Sequence, residues 1–144
     1  AGIMVRPTGA ANAAVMVQDS QLLANTVGLK ADGAGGTGAI KVTVANSVGS
    51  NSLGQGFFAQ SNPGASVTLV LSHTVSSNNG SIGARVDGAN ATLVVGGSAF
   101  SGNGGAGVQS LNGGVINTFK NNQSGVQAGN GAADSAATNV VALY

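Results

Sequence analysis

The residues able to do acid–base or metal chemistry are few. Asp19, Asp32, Asp87 and Asp134 are the only carboxylates, there is no glutamate or cysteine, and His73 is the only histidine. Paired carboxylates can hydrolyse a glycosidic bond, and carboxylates holding calcium beside a basic side chain can support proton abstraction from a sugar. Asp32 and Asp87 share one phase of an internal repeat, two coils apart with Gln60 between them, so their backbones stand about 10 Å apart. That is loose for an inverting pair and too wide for a retaining one. Lys30 and Arg85 lie outward on the same strands, which gives a groove with acidic and basic residues. Against that stands the plainer reading, isolated charges that keep a rod soluble, and it is the one favoured.

His73 follows the apolar run "VTLVLSHT". A triad needs a serine and an acid arranged around it, and no G-x-S-x-G turn presents such a serine. His73 instead fits a column of corner residues: Asp19, Asn46, His73, Gly97, Asn121. "DGAGGTG", Asp32 to Gly38, lacks the Lys-Ser/Thr ending of a phosphate loop, and its aspartate does not recur at nonapeptide spacing. It reads as a flexible connection between coils. Asn90 and Asn122 head N-x-S/T triplets of the kind that arise by chance in an Asn- and Ser-rich chain.

The elements that would position these residues are short strands in a repeat. "AVMVQDS", "IKVTVANS", "VTLVLSHT", "ATLVVGGS" and "VINTFKNN" stack so that Val17, Val44, Leu71, Val95 and Phe119 share a column, at separations of 27, 27, 24 and 24 residues. Two residues earlier stand Val15, Val42, Leu69, Leu93 and Asn117, and two earlier again Ala13, Ile40, Val67, Ala91 and Val115. With side chains alternating at period two, these columns form one inward face, broken only by Asn117. A polar column follows, and Asn46, Ser47, Thr74, Ser98, Asn121 and Asn122 are expected to pin the corners by bonding along the stack. A second strand then begins after Gly2, Gly28, Gly56, Gly83 and Gly107. It points Ile3, Leu29, Phe57, Ala84 and Val108 inward.

Repeats of this length built from short strands predict an all-β parallel β-solenoid of about five to six coils, 24–27 residues per coil, in a single domain over 1–144. With 42% apolar and 6% charged residues the chain folds rather than staying disordered. Five basic and four acidic residues, scattered, offer no footprint for nucleic acid or an anionic membrane. No apolar run is long enough to span a bilayer. The outward residues Met16, Thr43, Val70, Val94 and Thr118 do not form the threonine array that ice binding would need.

The pattern "VTVANSVGSNS…GFFA…NATLVVGGSAFSGNGGAGVQS…GGVINTFKNNQS" resembles right-handed parallel β-helix repeat proteins of the pectate-lyase-like superfamily, in particular secreted bacterial Gly/Asn/Ser-rich members. The resemblance covers essentially the whole chain. It implies the right-handed coil, while that superfamily hosts lyases, hydrolases, epimerases, adhesins and tailspikes alike. Its enzymes carry denser acidic clusters than this chain.

"AGIMVRPTGA" opens directly on a strand, and "NVVALY" gives a last strand over Val140 to Leu143. Both ends look uncapped. The sequence therefore leads to a non-enzymatic, extracellular or cell-surface structural or adhesive rod, the C-terminal part or processed fragment of a longer chain, which self-associates end to end into filaments. No cofactor is expected. The alternative is carbohydrate binding or polysaccharide cleavage on the face bearing Lys30, Phe58, Arg85 and Gln109.

Overall fold

The computed structural model describes residues 1–124 and 139–140. The first coil holds β1 (Ile3–Val5), β2 (Ala13–Gln18) and β3 (Gln21–Leu23), the second β4 (Leu29–Asp32), β5 (Ile40–Ala45) and β6 (Val48–Ser50). The third holds β7 (Phe57–Gln60), β8 (Val67–Ser72) and β9 (Val75–Ser77), the fourth β10 (Ala84–Asp87), β11 (Ala91–Gly96) and β12 (Ala99–Ser101). The last described stretch holds β13 (Val108–Leu111), β14 (Val115–Thr118), β15 (Gln123–Ser124) and β16 (Asn139–Val140). Every pairing is parallel, and the strands form three sheets, β1-β4-β7-β10-β13, β2-β5-β8-β11-β14-β16 and β3-β6-β9-β12-β15. The result is a β-solenoid of about four turns, slightly fewer than expected.

Each coil has three strands where the sequence suggested two. The third strand is only three residues long and turns one side chain inward, Leu22, Gly49, Ser76 or Phe100, so it shows no alternation to detect. These positions exchange volume with the first sheet. Phe57 fills the interior beside Gly49, where a Cβ would lie 2.8 Å from its ring, and Phe100 in the next coil lies beside Gly83, where a Cβ would stand 3.0 Å from its ring. Close packing of so narrow a core leaves room for one large ring per coil.

The inward columns hold through four coils. Val17, Val44, Leu71 and Val95 are buried and stacked, as are Val42, Leu69 and Leu93. In β14 the expected register is wrong by one residue: Leu93 pairs with Ile116 and Val95 with Thr118. Ile116 and Thr118 are fully buried, Val115, Asn117 and Phe119 are only half-buried, and Thr118 does not belong to the outward row. The slip places an isoleucine where the expected register would have buried an amide without strand partners for it. A bulge restores phase. Lys120 (φ 58°) takes the left-handed position occupied by Gly97 (φ 61°), Asn121 is the extra residue, and Ser98 N–H donates to Asn122 Oδ1 at 3.0 Å. Phe119 is thereby turned out of the core and lies over Gly96, where a Cβ would stand 2.7 Å from its ring.

Candidate functional site

The face proposed for carbohydrate is formed in register. Met4, Lys30, Phe58, Arg85 and Gln109 make one row across the first sheet. Phe58 is only 8% exposed, and its ring lies 5.2 Å from Lys30 Nζ and 5.0 Å from Arg85 Cζ. Both cations therefore sit over the aromatic ring. Phe58 supports the cations more than it offers a platform for a sugar.

Two residues on, the row reads Asp32, Gln60, Asp87, Leu111, so the two carboxylates are indeed two coils apart. Asp32 ends β4 and caps a 3-10 turn, Gly33–Gly35, by accepting Ala34 N–H at 3.0 Å. Its other oxygen meets Lys30 Nζ at 3.1 Å and Arg6 Nε at 3.6 Å. Burial acts to raise the Asp32 pKa, but the Ala34 N–H, the Lys30 hydrogen bond and the charges of Lys30 and Arg6 outweigh it and hold the pKa below the usual value. Asp32 is thus a fixed anion rather than a proton donor. Asp87 accepts from Asn112 Nδ2 at 2.7 Å and pairs with Arg85. Each carboxylate is engaged by its own side of the coil, and Gln60 separates the two.

The glycine-rich segment after Asp32 is stacked rather than loose. Gly36 forms a parallel bridge with Gly9, Thr37 N–H donates to Gly9 O at 2.7 Å, and a Cβ at Gly36 or Gly38 would collide with the backbone of the first coil. Its glycines permit close approach of two backbones.

His73 is an exposed left-handed corner residue (φ 50°), in the column of Asp19 (φ 50°) and Asn46 (φ 47°). Its Nδ1 lies 3.0 Å from Ser72 Oγ, beside a shallow groove of about 260 Å³ lined by Val70, Val94, Phe119 and Asn121. No carboxylate bonds to it among the described residues. Asp134 lies outside them. Among the described residues no group of three or more His, Cys, Asp or Glu could hold a metal ion, and no helix is long and apolar enough to cross a membrane.

The expected corner ladder divides. Ser47, Thr74 and Ser98 are buried, with Ser20 N–H on Ser47 Oγ at 3.1 Å and Thr74 N–H on Ser98 Oγ at 3.2 Å. Asn121 and Asn122 join through Gly97 N–H and Ser98 N–H. Asn46 is exposed and serves the corner by its left-handed backbone. A second ladder was not foreseen: Asn79 and Asn103 are buried, Ser52 N–H donates to Asn79 Oδ1 at 3.0 Å, and Asn79 N–H donates to Asn103 Oδ1 at 3.1 Å. Its signal was a column at the same repeat spacing, Asn25, Ser52, Asn79, Asn103. The parallel solenoid stands on this architecture alone, for no family model matches the chain, and no curated protein or solved structure matches it either.

Proposed function

We propose that this chain is a non-enzymatic structural rod of the extracellular space or cell surface, akin to the secreted β-helix proteins it resembles, whose copies stack end to end. The supporting observation is the first coil. Among the described residues β1, β2 and β3 each pair on one side only, all at the same end. Ile3, Ala13 and Val15 there are only partly buried against the core, and Met4, Met16 and Leu23 expose one large apolar side chain on each of the three sheets. Open strand edges over an apolar cross-section are templates for further pairing, by coils that precede this stretch in a longer chain or by the end of a second copy, and a head-to-tail contact between copies that does not close propagates as a fibre.

Electron microscopy across a concentration series tests this reading. Rods that lengthen with concentration are expected. Ala13 and Asp19 donate their N–H groups to the second coil, so by the alternation of parallel pairing Met16 N–H faces the open edge. Met16→Pro removes that donor without breaking a bond inside the coil. It should shorten the rods while leaving the melting transition near that of the parent. Discrete particles at every concentration, with the parent fully folded, would end the stacking proposal.

A second reading rests on the row Lys30, Phe58, Arg85 and Gln109: partly exposed cations in register along one sheet suit an acidic glycan that competes for them with Asp32 and Asp87. Loss of a glycan-array signal on Arg85→Ala and Gln109→Ala would support it, and release of oligosaccharide would point to cleavage instead.

A further inference from the structure

We infer that Asn112 is a site of spontaneous backbone-assisted deamidation, which places a second carboxylate against Asp87. Asparagine followed by glycine is the dipeptide most open to this chemistry, because glycine has no side chain to hinder attack by its own nitrogen. Three such pairs fall among the described residues, Asn79-Gly80, Asn103-Gly104 and Asn112-Gly113. They share the same local chemistry and differ in their surroundings.

At the first two pairs both reacting groups are held. Gly80 N–H donates to Ser52 O at 2.7 Å and Gly104 N–H to Asn79 O at 2.8 Å. The Asn79 amide is bonded to Gly49 O, Ser76 and Asn103, the Asn103 amide to Ser76 O, and both side chains are buried. Neither amide can rotate towards the following nitrogen until the ladder opens. Asn112 is held less: its side chain is exposed, outside the buried ladder, and its amide makes one bond, Nδ2 to Asp87 Oδ1. It lies at the tip of the turn after β13, with φ of 50° followed by 82° at Gly113, and that turn is closed by Gly114 N–H to Leu111 O at 3.0 Å and by Ser110 Oγ to Gly114 O. Gly113 N–H donates to no acceptor among the described residues.

The reaction is balanced by solvent alone. As the turn flexes, Gly113 N loses its proton and attacks Asn112 Cγ, and the new N–C bond expels the amide as ammonia to leave a succinimide. Water then adds to one of the two ring carbonyls and opens the ring, giving aspartate or isoaspartate at this position. Asn112 Nδ2 now donates to Asp87 Oδ1 at 2.7 Å, across neighbouring coils. Deamidation exchanges that donor for an anion, so a tie between coils becomes a repulsion beside an Arg85 already paired with Asp87.

The test is peptide mapping of the folded chain during incubation at mildly alkaline pH. Trypsin places Asn79 on the peptide ending at Arg85 and both Asn103 and Asn112 on the peptide from Val86 to Lys120, where fragmentation separates them. Asn130 falls on the C-terminal peptide and does not enter the comparison. The mass gain of deamidation should accumulate at Asn112 about tenfold or more faster than at Asn79 and Asn103, since each of those must wait for the ladder to open. In urea the three rates should converge. A folded-state rate at Asn112 no greater than at the two buried sites overturns the assignment. For the consequence, Asn112→Asp should lower the melting temperature, and Asp87→Asn added to it should recover most of the loss. An Asn112→Asp chain that melts with the parent removes the proposed repulsion.

Discussion

At the corner between the six-residue and three-residue strands, each of two coils contributes one hydroxyl whose bonds stay at that corner. Ser47 Oγ accepts from Ser20 N–H and donates to Ala45 O at 2.7 Å, and Ser98 Oγ accepts from Thr74 N–H and donates to Gly96 O at 3.1 Å. At the next corner the side chain is a carboxamide, and its reach is longer. Asn79 accepts from Ser52 N–H while its amide protons are shared among Gly49 O at 3.0 Å, Ser76 Oγ at 3.1 Å and Asn103 Oδ1 at 2.9 Å. One hydroxyl clips a strand to its neighbour, whereas one amide satisfies two backbone groups of the preceding coil and also ties the side chains of Ser76 and Asn103. The difference follows from the donor inventory, one proton against two.

The largest effect should therefore come from Asn79→Ala. It leaves buried Ser52 N–H without its acceptor and takes one donor each from Gly49 O, which keeps Ser76 Oγ, and Asn103 Oδ1, which keeps the residue-79 backbone N–H; this should cost about 3 kcal/mol. Ser47→Ala at the other corner removes one acceptor for Ser20 N–H, which lies near enough to solvent to find water, and should cost about 1 kcal/mol. Urea unfolding midpoints of the two variants measure the contrast. Equal shifts would mean that the amide ladder is no more than a second clip.

Acid separates both of these corners from the third, where the variable loops leave the first sheet. Neither polar ladder contains a titratable group, but the third corner rests on Asp32 with Lys30 and Arg6. The Asp32 pKa is depressed in the folded chain. Its contribution is therefore fully present above the unfolded carboxylate pKa of about 4, and is lost as pH falls through the lower folded value. Asp32→Asn should be less stable than the parent by a constant amount from pH 7 to about pH 5, with the gap closing below about pH 4. The deficits of Asn79→Ala and Ser47→Ala should not close over that range. A gap for Asp32→Asn that persists at the lowest pH would place its role in packing rather than charge.

How far these regions could be read in the sequence depended on what each one repeats. The six-residue strands alternate over three inward positions, so the columns through Val17, Val44, Leu71 and Val95 were legible at once. The first corner was legible too, because Ser20, Ser47, Thr74 and Ser98 recur directly after those strands. The third strand was not, since one inward residue gives no period and its occupants, Leu22, Gly49, Ser76 and Phe100, share neither size nor polarity. The misplaced Phe119 has another cause. Counting from the corner, where Asn122 still matches Ser98 at 24 residues, carries the wrong register back across a bulge into β14. Only the burial of Ile116 in place of Asn117 reveals the slip. For the candidate face, the row Lys30, Phe58, Arg85, Gln109 followed from alternation. The stacking of both cations on one ring did not, because it depends on side-chain rotamers that spacing leaves open.

The smallest effect tests the ladder from within. Ser52 occupies the amide column between Asn25 and Asn79, and its buried hydroxyl has no hydrogen-bond partner among the described residues. An orphaned buried hydroxyl costs free energy that its removal recovers, so Ser52→Ala should be neutral or raise stability by up to about 1 kcal/mol. That sign is opposite to the one expected for every other polar position in either corner. Ser52→Asn sharpens the point: an amide there could offer its oxygen to Asn25 N–H as Asn79 offers its own to Ser52 N–H, extending the ladder by one coil. If thermal melting ranks Ser52→Asn above Ser52→Ala and both at or above the parent, the column is a ladder with one rung missing. If Ser52→Ala is clearly destabilising, the hydroxyl has a bonding role and the contrast between the two corners narrows to the count of bonds that Asn79 and Asn103 make.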